Sequence, residues 1–214
     1  NVSRVNATLF DSVTSSHTAA DDNNNHYTNS TCTNFTDTRY QCLFTLWYYA
    51  NNASWQCNLT ATDTNNVSNF LAIGTVVNEL IAIEANATID YGELQPTNGS
   101  NMTNLTIVNF GNKNINISVR GYGITDGDNL SMTCGSDGNI SVDNERYAVQ
   151  FSTPFEQMTD LTNKSVMMAN FTVFQRTNDA SNDQDLNNTH WRIRVPSGIG
   201  GSCNGTIVVS ATIA

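Results

Sequence analysis

Phe70–Ile83 reads FLAIGTVVNELIAI. It is the most apolar run in a polar, Asn-rich chain, and the β-branched residues around Val76 and Val77 favour strand. A helix that crosses a bilayer takes about 20 apolar residues, and Asn78 and Glu79 interrupt this run at its middle. The run therefore reads as two strands about a minimal joint. Phe70–Val77 closes one β-domain, residues 1–78. Glu79–Glu84 opens the next, residues 79–214. A joint that short implies a fixed, end-to-end relation and a rod-like module.

Composition narrows the function. Charged residues make up 13% of the 214, the net charge is −10, and the only lysines are Lys113 and Lys164. Phosphate binding needs clustered Lys and Arg, and the densest bases here are Arg192 and Arg194, so nucleic acid is not an expected partner. A hydrophobic content of 39% suffices for thin β-sandwich cores. Neither a signal peptide, a transmembrane segment nor a sorting tail is legible. The chain reads as a mature, processed product or as a piece of a longer one.

The strongest signal is Asn-X-Ser/Thr, the N-glycosylation sequon. Sequons begin at Asn1, Asn6, Asn29, Asn34, Asn52, Asn58, Asn66, Asn86, Asn98, Asn101, Asn104, Asn116, Asn129, Asn139, Asn163, Asn170, Asn187 and Asn204. Chance would give about seven from this much Asn. In Asn6-Ala-Thr8, Asn58-Leu-Thr60, Asn104-Leu-Thr106, Asn116-Ile-Ser118, Asn129-Leu-Ser131, Asn139-Ile-Ser141 and Asn170-Phe-Thr172 the middle residue is apolar. Residues i and i+2 of a strand share a face. Such sequons place Asn and Thr toward solvent and the apolar residue in the core. Glycans would then cover the outer sheet faces and leave strand edges and chain ends for partners.

Alternation gives the strands. Val2–Phe10 reads as one, and the polar segment Asp11–Thr38 reads mostly as loop, pinned by Cys32. Thr38–Tyr49 and Ser54–Asp63 read as a hairpin. With Phe70–Val77 the first domain has few strands for a sandwich, which usually needs about seven. In the second domain the expected strands are Leu80–Glu84, Thr88–Leu94, Asn101–Asn109, Asn114–Tyr122, Asn129–Cys134, Ala148–Phe151, Val166–Arg176, His190–Pro196 and Thr206–Ala214. A short turn of helix is expected only within Ala148–Met168.

Of five cysteines, none forms C-x-x-C, so structural zinc is not expected. An exported glycoprotein forms disulfides. Cys134 pairs with Cys203, the only two in the second domain, and Cys32 pairs with Cys42, pinning the long loop. Cys57 is left over, either for intermolecular pairing or as a buried free thiol. A strand-poor first domain, a mateless Cys and a strand-first start together suggest completion by a strand from a neighbouring copy. Head-to-tail repetition of that contact gives an open filament. The strand donated would be Val2–Phe10 or Thr206–Ala214.

Catalytic signals are absent. His17, His26 and His190 lack metal-ligand spacing, Ser202 is not in G-x-S-x-G, and Gly121-Tyr-Gly123 with Gly127 is not a dinucleotide loop. No enzyme, metal or cofactor is expected. The oxygen-rich loops Asp21–Asn25, Asp126–Asp128 and Asp179, Asp183, Asp185 offer calcium ligands without EF-hand spacing and read as Asx-turn loops. Trp47, Tyr48, Tyr49 and Trp55 read as core and cross-strand pairs rather than as a carbohydrate platform.

Cys42–Asp63 (CLFTLWYYANNASWQCNLTATD) and Trp191–Ile213 (WRIRVPSGIGGSCNGTIVVSATI) resemble repeats of archaeal cell-surface proteins with tandem immunoglobulin-like domains. The sequon density and strand-first start are similar to glycosylated thread-like filament subunits assembled by donor-strand complementation. The resemblance implies two antiparallel immunoglobulin-like β-sandwich domains in tandem, the first completed by a neighbour's strand. It also implies an extracellular, heavily N-glycosylated cell-surface filament, with other copies of the chain as partners. The alternative is a fragment of a monomeric surface adhesin or S-layer-like protein that contacts surface glycans or cells.

Overall fold

The computed structural model describes residues 2–36, 39–86, 88–135, 138–179 and 185–214. The chain is all-β and forms two compact units. Unit 1 comprises Asn1–Leu80, Phe110–Lys113 and Gln175–Gln184; unit 2 comprises Ile81–Asn109, Asn114–Phe174 and Asp185–Ala214.

Unit 1 is built on a four-stranded antiparallel sheet. Its strands are β1 (Val2–Asp11), β2 (His26–Asn29), β5 (Ala53–Asp63) and β6 (Ser68–Val77), in the order β2-β1-β5-β6. A small hairpin, β3 (Thr33–Thr36) with β4 (Arg39–Gln41), carries the Cys32–Cys42 disulfide at its base. The β5–β6 register is set by its turn. The Asp63 carboxylate accepts the backbone N–H groups of Asn65 (2.8 Å) and Val67 (2.9 Å), and Asn66 takes φ 62°, a conformation Asn tolerates. Thr62 then pairs with Ser68, and the ladder runs to Ala53 opposite Val77. On the inner face Leu9, Tyr27, Ala50 and Trp55 form the core, with Phe44, Cys57 and Val77 against it.

Two expectations about this unit fail. Thr38 lies outside the described residues, and the long strand expected from Thr38 to Tyr49 is reduced to β4, followed by irregular chain and a turn. Side chains take up its backbone groups in place of a ladder. Asn29 Nδ2 donates to the Leu43 carbonyl (2.8 Å), the Trp47 N–H to the Tyr27 hydroxyl (3.1 Å), and the Ala50 N–H closes on the Trp47 carbonyl (2.9 Å). The expected hairpin between Thr38–Tyr49 and Ser54–Asp63 is therefore absent; β5 pairs with β1 and β6. The segment expected to be mostly loop also supplies β2, whose His26 and Tyr27 are buried against β1.

Unit 2 is a sandwich. One sheet holds β7 (Ile83–Ala85), β8 (Thr103–Asn109), β12 (Glu145–Ala148), β13 (Thr159–Asp160) and β15 (Leu186–Ile193), in the order β13-β12-β15-β8-β7. The other holds β9 (Ile115–Tyr122), β14 (Val166–Val173) and β16 (Thr206–Ile213), in the order β14-β9-β16. A short pair, β10 (Leu130–Thr133) and β11 (Asn139–Ser141), stands at one end. The alternation expected for half-buried strands is sharp in β9, where Ile115, Ile117, Val119 and Gly121 are buried and their neighbours are not. These side chains meet Leu105, Ile107, Tyr147, Phe171, Val173 and Trp191 in one core. Helical structure among the described residues includes a 3-10 turn at Phe155–Gln157, within the stretch where one was expected, and another at Val142–Asn144, outside it.

The strand expected at Thr88–Leu94 carries no ladder, and that expected at Leu80–Glu84 shrinks to β7. Ala148–Phe151 is displaced to β12, because Glu145–Ala148 pairs with Ile193–His190.

Candidate functional site

The sandwich of unit 2 is unfinished along one side. β16 pairs with β9 through eight residues, and its other edge carries no strand among the described residues. Ile207, Val209 and Ala211 stand opposite Gly121, Val119 and Ile117, so they point toward the core, yet all three stay half-buried. Facing them across the gap are Ile83 and Ala85 of β7, Ile89, Tyr91 and Leu105. The space between is a groove of about 750 Å³. Its walls are apolar along β16, and one end is polar, where Ser131, Glu145, Tyr91 and Asn204 gather.

That polar end is tightly built. Gly205 passes so close to β10 that a Cβ there would lie 1.7 Å from the Ser131 carbonyl oxygen, so only glycine fits. Asn204 and Thr133 exchange both backbone hydrogen bonds (2.8 and 3.0 Å), and the Cys134–Cys203 disulfide ties the start of β16 to β10. Glu145 is 1% exposed and accepts a hydrogen bond from the Tyr91 hydroxyl at 2.6 Å. Burial outweighs its hydrogen bonds from Tyr91 and Ser131 and pushes its carboxyl up to about 7, while burial beside Glu145 pushes the Tyr91 phenol far up. Sequence reading singled out neither residue. A lone Glu inside Asn-Glu-Arg-Tyr carries no pattern; its burial follows from the pairing of Glu145 with Ile193.

The Cys134–Cys203 bridge closes a sequence separation of 69 residues. Replacing both by Ser should lower unfolding stability by about 2–5 kcal/mol, read as a reduced midpoint in urea unfolding. An unchanged midpoint would show that β16 is held without it.

The sequon asparagines lie on the surface in two degrees. Asn34, Asn66, Asn86, Asn98, Asn101, Asn104, Asn129, Asn139, Asn170 and Asn204 are exposed; Asn6, Asn29, Asn52, Asn58, Asn116, Asn163 and Asn187 are half-buried. Asn1 lies outside the described residues. The middle residue is buried in the sequons of Asn6, Asn104, Asn116, Asn139 and Asn170. Leu59 and Leu130 are only half-buried, and Ser131 turns inward instead. In Asn187-Asn-Thr189 the threonine is the buried member, donating to the Leu105 carbonyl (3.2 Å).

Two of the oxygen-rich loops turn a carboxylate on their own backbone. Asp128 accepts N–H groups from Gly123, Ile124, Thr125 and Leu130, which together hold its carboxyl far below the usual range despite some desolvation. Asp22 accepts from Asn24, Asn25 and His26, and Asp126 pairs with Arg120 (2.7 Å). Asp179 bonds to Tyr49 and Asn23, Asp185 is buried, and Asp183 lies outside the described residues. Among the described residues no group of three His, Cys, Asp or Glu side chains is placed to hold a metal. His26 bonds Asp21 (2.8 Å) and His190 bonds Asn104 (2.7 Å). Of the aromatics, Trp55 and Tyr49 are core residues, and Trp47 stacks on Tyr49 while half its surface stays exposed. Cys57 is a free, half-buried thiol whose pKa burial raises.

No protein-family model matches the sequence, and no curated protein matches it. Chains of solved chaperone–adhesin complexes are similar to it. One is a chain of a chaperone–tip adhesin complex described as vital for activation of CFA/I fimbriae biogenesis, with 12% identity and a TM-score of 0.38. The match covers 77% of this chain and 54% of that one, so this chain spans about half its length. Another is a chain of the CsuC–CsuE chaperone–tip adhesion subunit pre-assembly complex from the archaic chaperone-usher Csu pili of Acinetobacter baumannii. There the identity is 10%, the TM-score 0.44, and coverage 99% of this chain and 84% of that one.

Proposed function

We propose that the chain is a structural subunit of an extracellular, N-glycosylated cell-surface filament, polymerised head-to-tail by β-strand donation between copies. The observation that carries this reading is the groove beside β16, where an apolar core stays open along a free strand edge. An added strand would cover Ile207, Val209 and Ala211 and satisfy the edge. The sequence put the gap in the first domain; the groove lies in unit 2, while unit 1 is a four-stranded sheet and a small hairpin with much of β6 uncovered. Two disulfides fit an oxidising, exported setting, and sequons along the outward faces fit a glycan coat that keeps a polymer soluble. The role is architectural, with no catalytic step. Binding is to further copies, and no ion or cofactor is invoked.

The test is a gel of native material, loaded with and without boiling and with and without reductant. Strand-donated polymers should run as a ladder that boiling collapses to one glycosylated band, and enzymatic N-glycan release should lower the mass of that band by several sugars' worth. A single subunit-sized species in every lane would overturn the filament, and an unchanged mass would overturn the glycan coat. A band that needs reductant to collapse would assign a cross-link to Cys57.

A further inference from the structure

Edge strands are where chains join, and folded proteins usually blunt them. Among the described residues, the strands of eight residues or more are β1, β5, β6, β9, β14, β15 and β16. Three of these lie at a sheet edge: β6, β14 and β16. β14 is protected, since its register breaks between Met167 and Thr172, and the sequon residue Asn170 sits in that break at φ 55°. Neither β6 nor β16 has a break in its ladder. Neither contains a sequon asparagine, whereas β1, β5, β9, β14 and β15 each contain one. The two long edges without a bulge are thus also the two long strands without a glycan acceptor.

β6 differs from every other long strand in exposure. Leu71 is 58% and Ile73 51% exposed, in the middle of a ten-residue strand. They stand opposite Leu59 and Cys57 of β5, on the face that also carries Leu9 and Ala7 of β1. The sequon asparagine on that face is Asn29 of β2, opposite Ala7 at the far side of the sheet, two strands removed from β6, with its Nδ2 donating to the Leu43 carbonyl. The opposite face carries Asn6 and Asn58, and Asn58 lies directly across from Ala72. Glycans would therefore crowd one side of β6 and leave the Leu71/Ile73 side open. Charge points the same way. In a chain of net charge −10, neither Ser68–Val77 nor Thr206–Ile213 contains a charged residue, so these two edges meet without the repulsion that keeps other surfaces apart. Eight residues of β16 against β6 make a strip about 27 Å long. With the groove filled, the covered surface is on the order of 1,000 Å² for both partners together, the lower bound of a specific interface.

We infer that the strand entering the groove is β6 of a second copy, added edge-to-edge to β16 with Leu71 and Ile73 turned into the groove. This rests on the strand-donation reading above and replaces its terminal donors. β1 is held between β2 and β5, and β16 pairs with β9 and lines the groove itself. The inferred contact is heterologous, since β6 belongs to unit 1 and β16 to unit 2, so it propagates as an open chain. β6 keeps its ladder to β5 and β16 its ladder to β9, so neither unit need give up a strand.

The test is hydrogen exchange by mass spectrometry on assembled material and on the same chain dissociated, beside two variants of the full chain. Amides of both β6 and β16 should exchange at least tenfold more slowly in the assembled state. Leu71→Asp with Ile73→Asp should remain monomeric while keeping the parent's circular dichroism, and Phe70→Asp, on the opposite face of β6, should assemble. Slowing of β16 without β6, or assembly of the Leu71/Ile73 variant, would overturn β6 as donor and leave strand donation intact. Slowing of β6 without β16 would overturn the pairing from the other side. Material that never assembles, with exchange unchanged in both strands, would overturn strand donation and this inference with it.

Discussion

Val209→Asp should leave the chain folded and stop its polymerisation. Val209 faces inward opposite Val119 and is half-buried only because nothing covers it. In the free subunit a carboxylate there still reaches water through the groove. Under an added strand it loses that water and gains no cation, a penalty of several kcal/mol. At about 1.4 kcal/mol per tenfold, subunit affinity should fall at least ~100-fold. Sedimentation velocity over a concentration series reads the loss, and circular dichroism checks the fold. Met167→Asp is the matched control, since Met167 is 55% exposed on the protected edge β14. Equal loss in both variants, or none at Val209, would contradict the groove's role.

Glu145 should make the protein less stable at neutral pH than in mild acid. Its carboxyl is raised from 4.5 to about 7 by burial, so the folded state holds a proton that the unfolded chain releases. The sign follows from linkage: the contribution is complete below pH 4.5, falls as pH rises toward 7, and is flat above it. The window corresponds to about 3 kcal/mol, an order-of-magnitude figure. His190 acts oppositely: desolvation lowers its pKa, so it favours the fold less as pH drops below 6.5. Comparing the parent with Glu145→Gln cancels that contribution. Urea unfolding between pH 4.5 and 8 should show the variant gaining on the parent as pH rises. Parallel curves would mean that Glu145 is ionised in the fold with a compensating partner.

How much of this was legible depended on what fixes each element. Alternation fixes β9, where every second residue meets one core, and it located β1, β5, β6, β8, β14 and β16 to within a few residues. The apolar middles of the Asn104, Asn116, Asn139 and Asn170 sequons mark the side that faces inward. Alternation misled at Tyr40–Tyr48. Those side chains have strand spacing, but Asn29 and Tyr27 bond to the backbone there, and the turn at Trp47–Ala50 ends any ladder. Such competition by side chains leaves no periodic mark. Thr88–Leu94 failed for a different reason. Thr88, Ile89, Asp90 and Tyr91 line the groove and the segment hydrogen-bonds inward through Tyr91, with no strand among the described residues laddered to it. The groove is itself a property of segments far apart in sequence, above all residues 83–86, 88–91 and 203–209, so composition and spacing could indicate a missing strand without showing which unit lacks it.

The most direct test of strand donation is an electron cryo-microscopy map of native, unheated material at a resolution that separates strands. The account predicts a filament repeating at one subunit, with an extra strand from the neighbouring copy hydrogen-bonded to Thr206–Ile213 and its side chains filling the groove over Val209. A map in which that edge of β16 stands bare, or a field of separate subunit-sized particles, would contradict it.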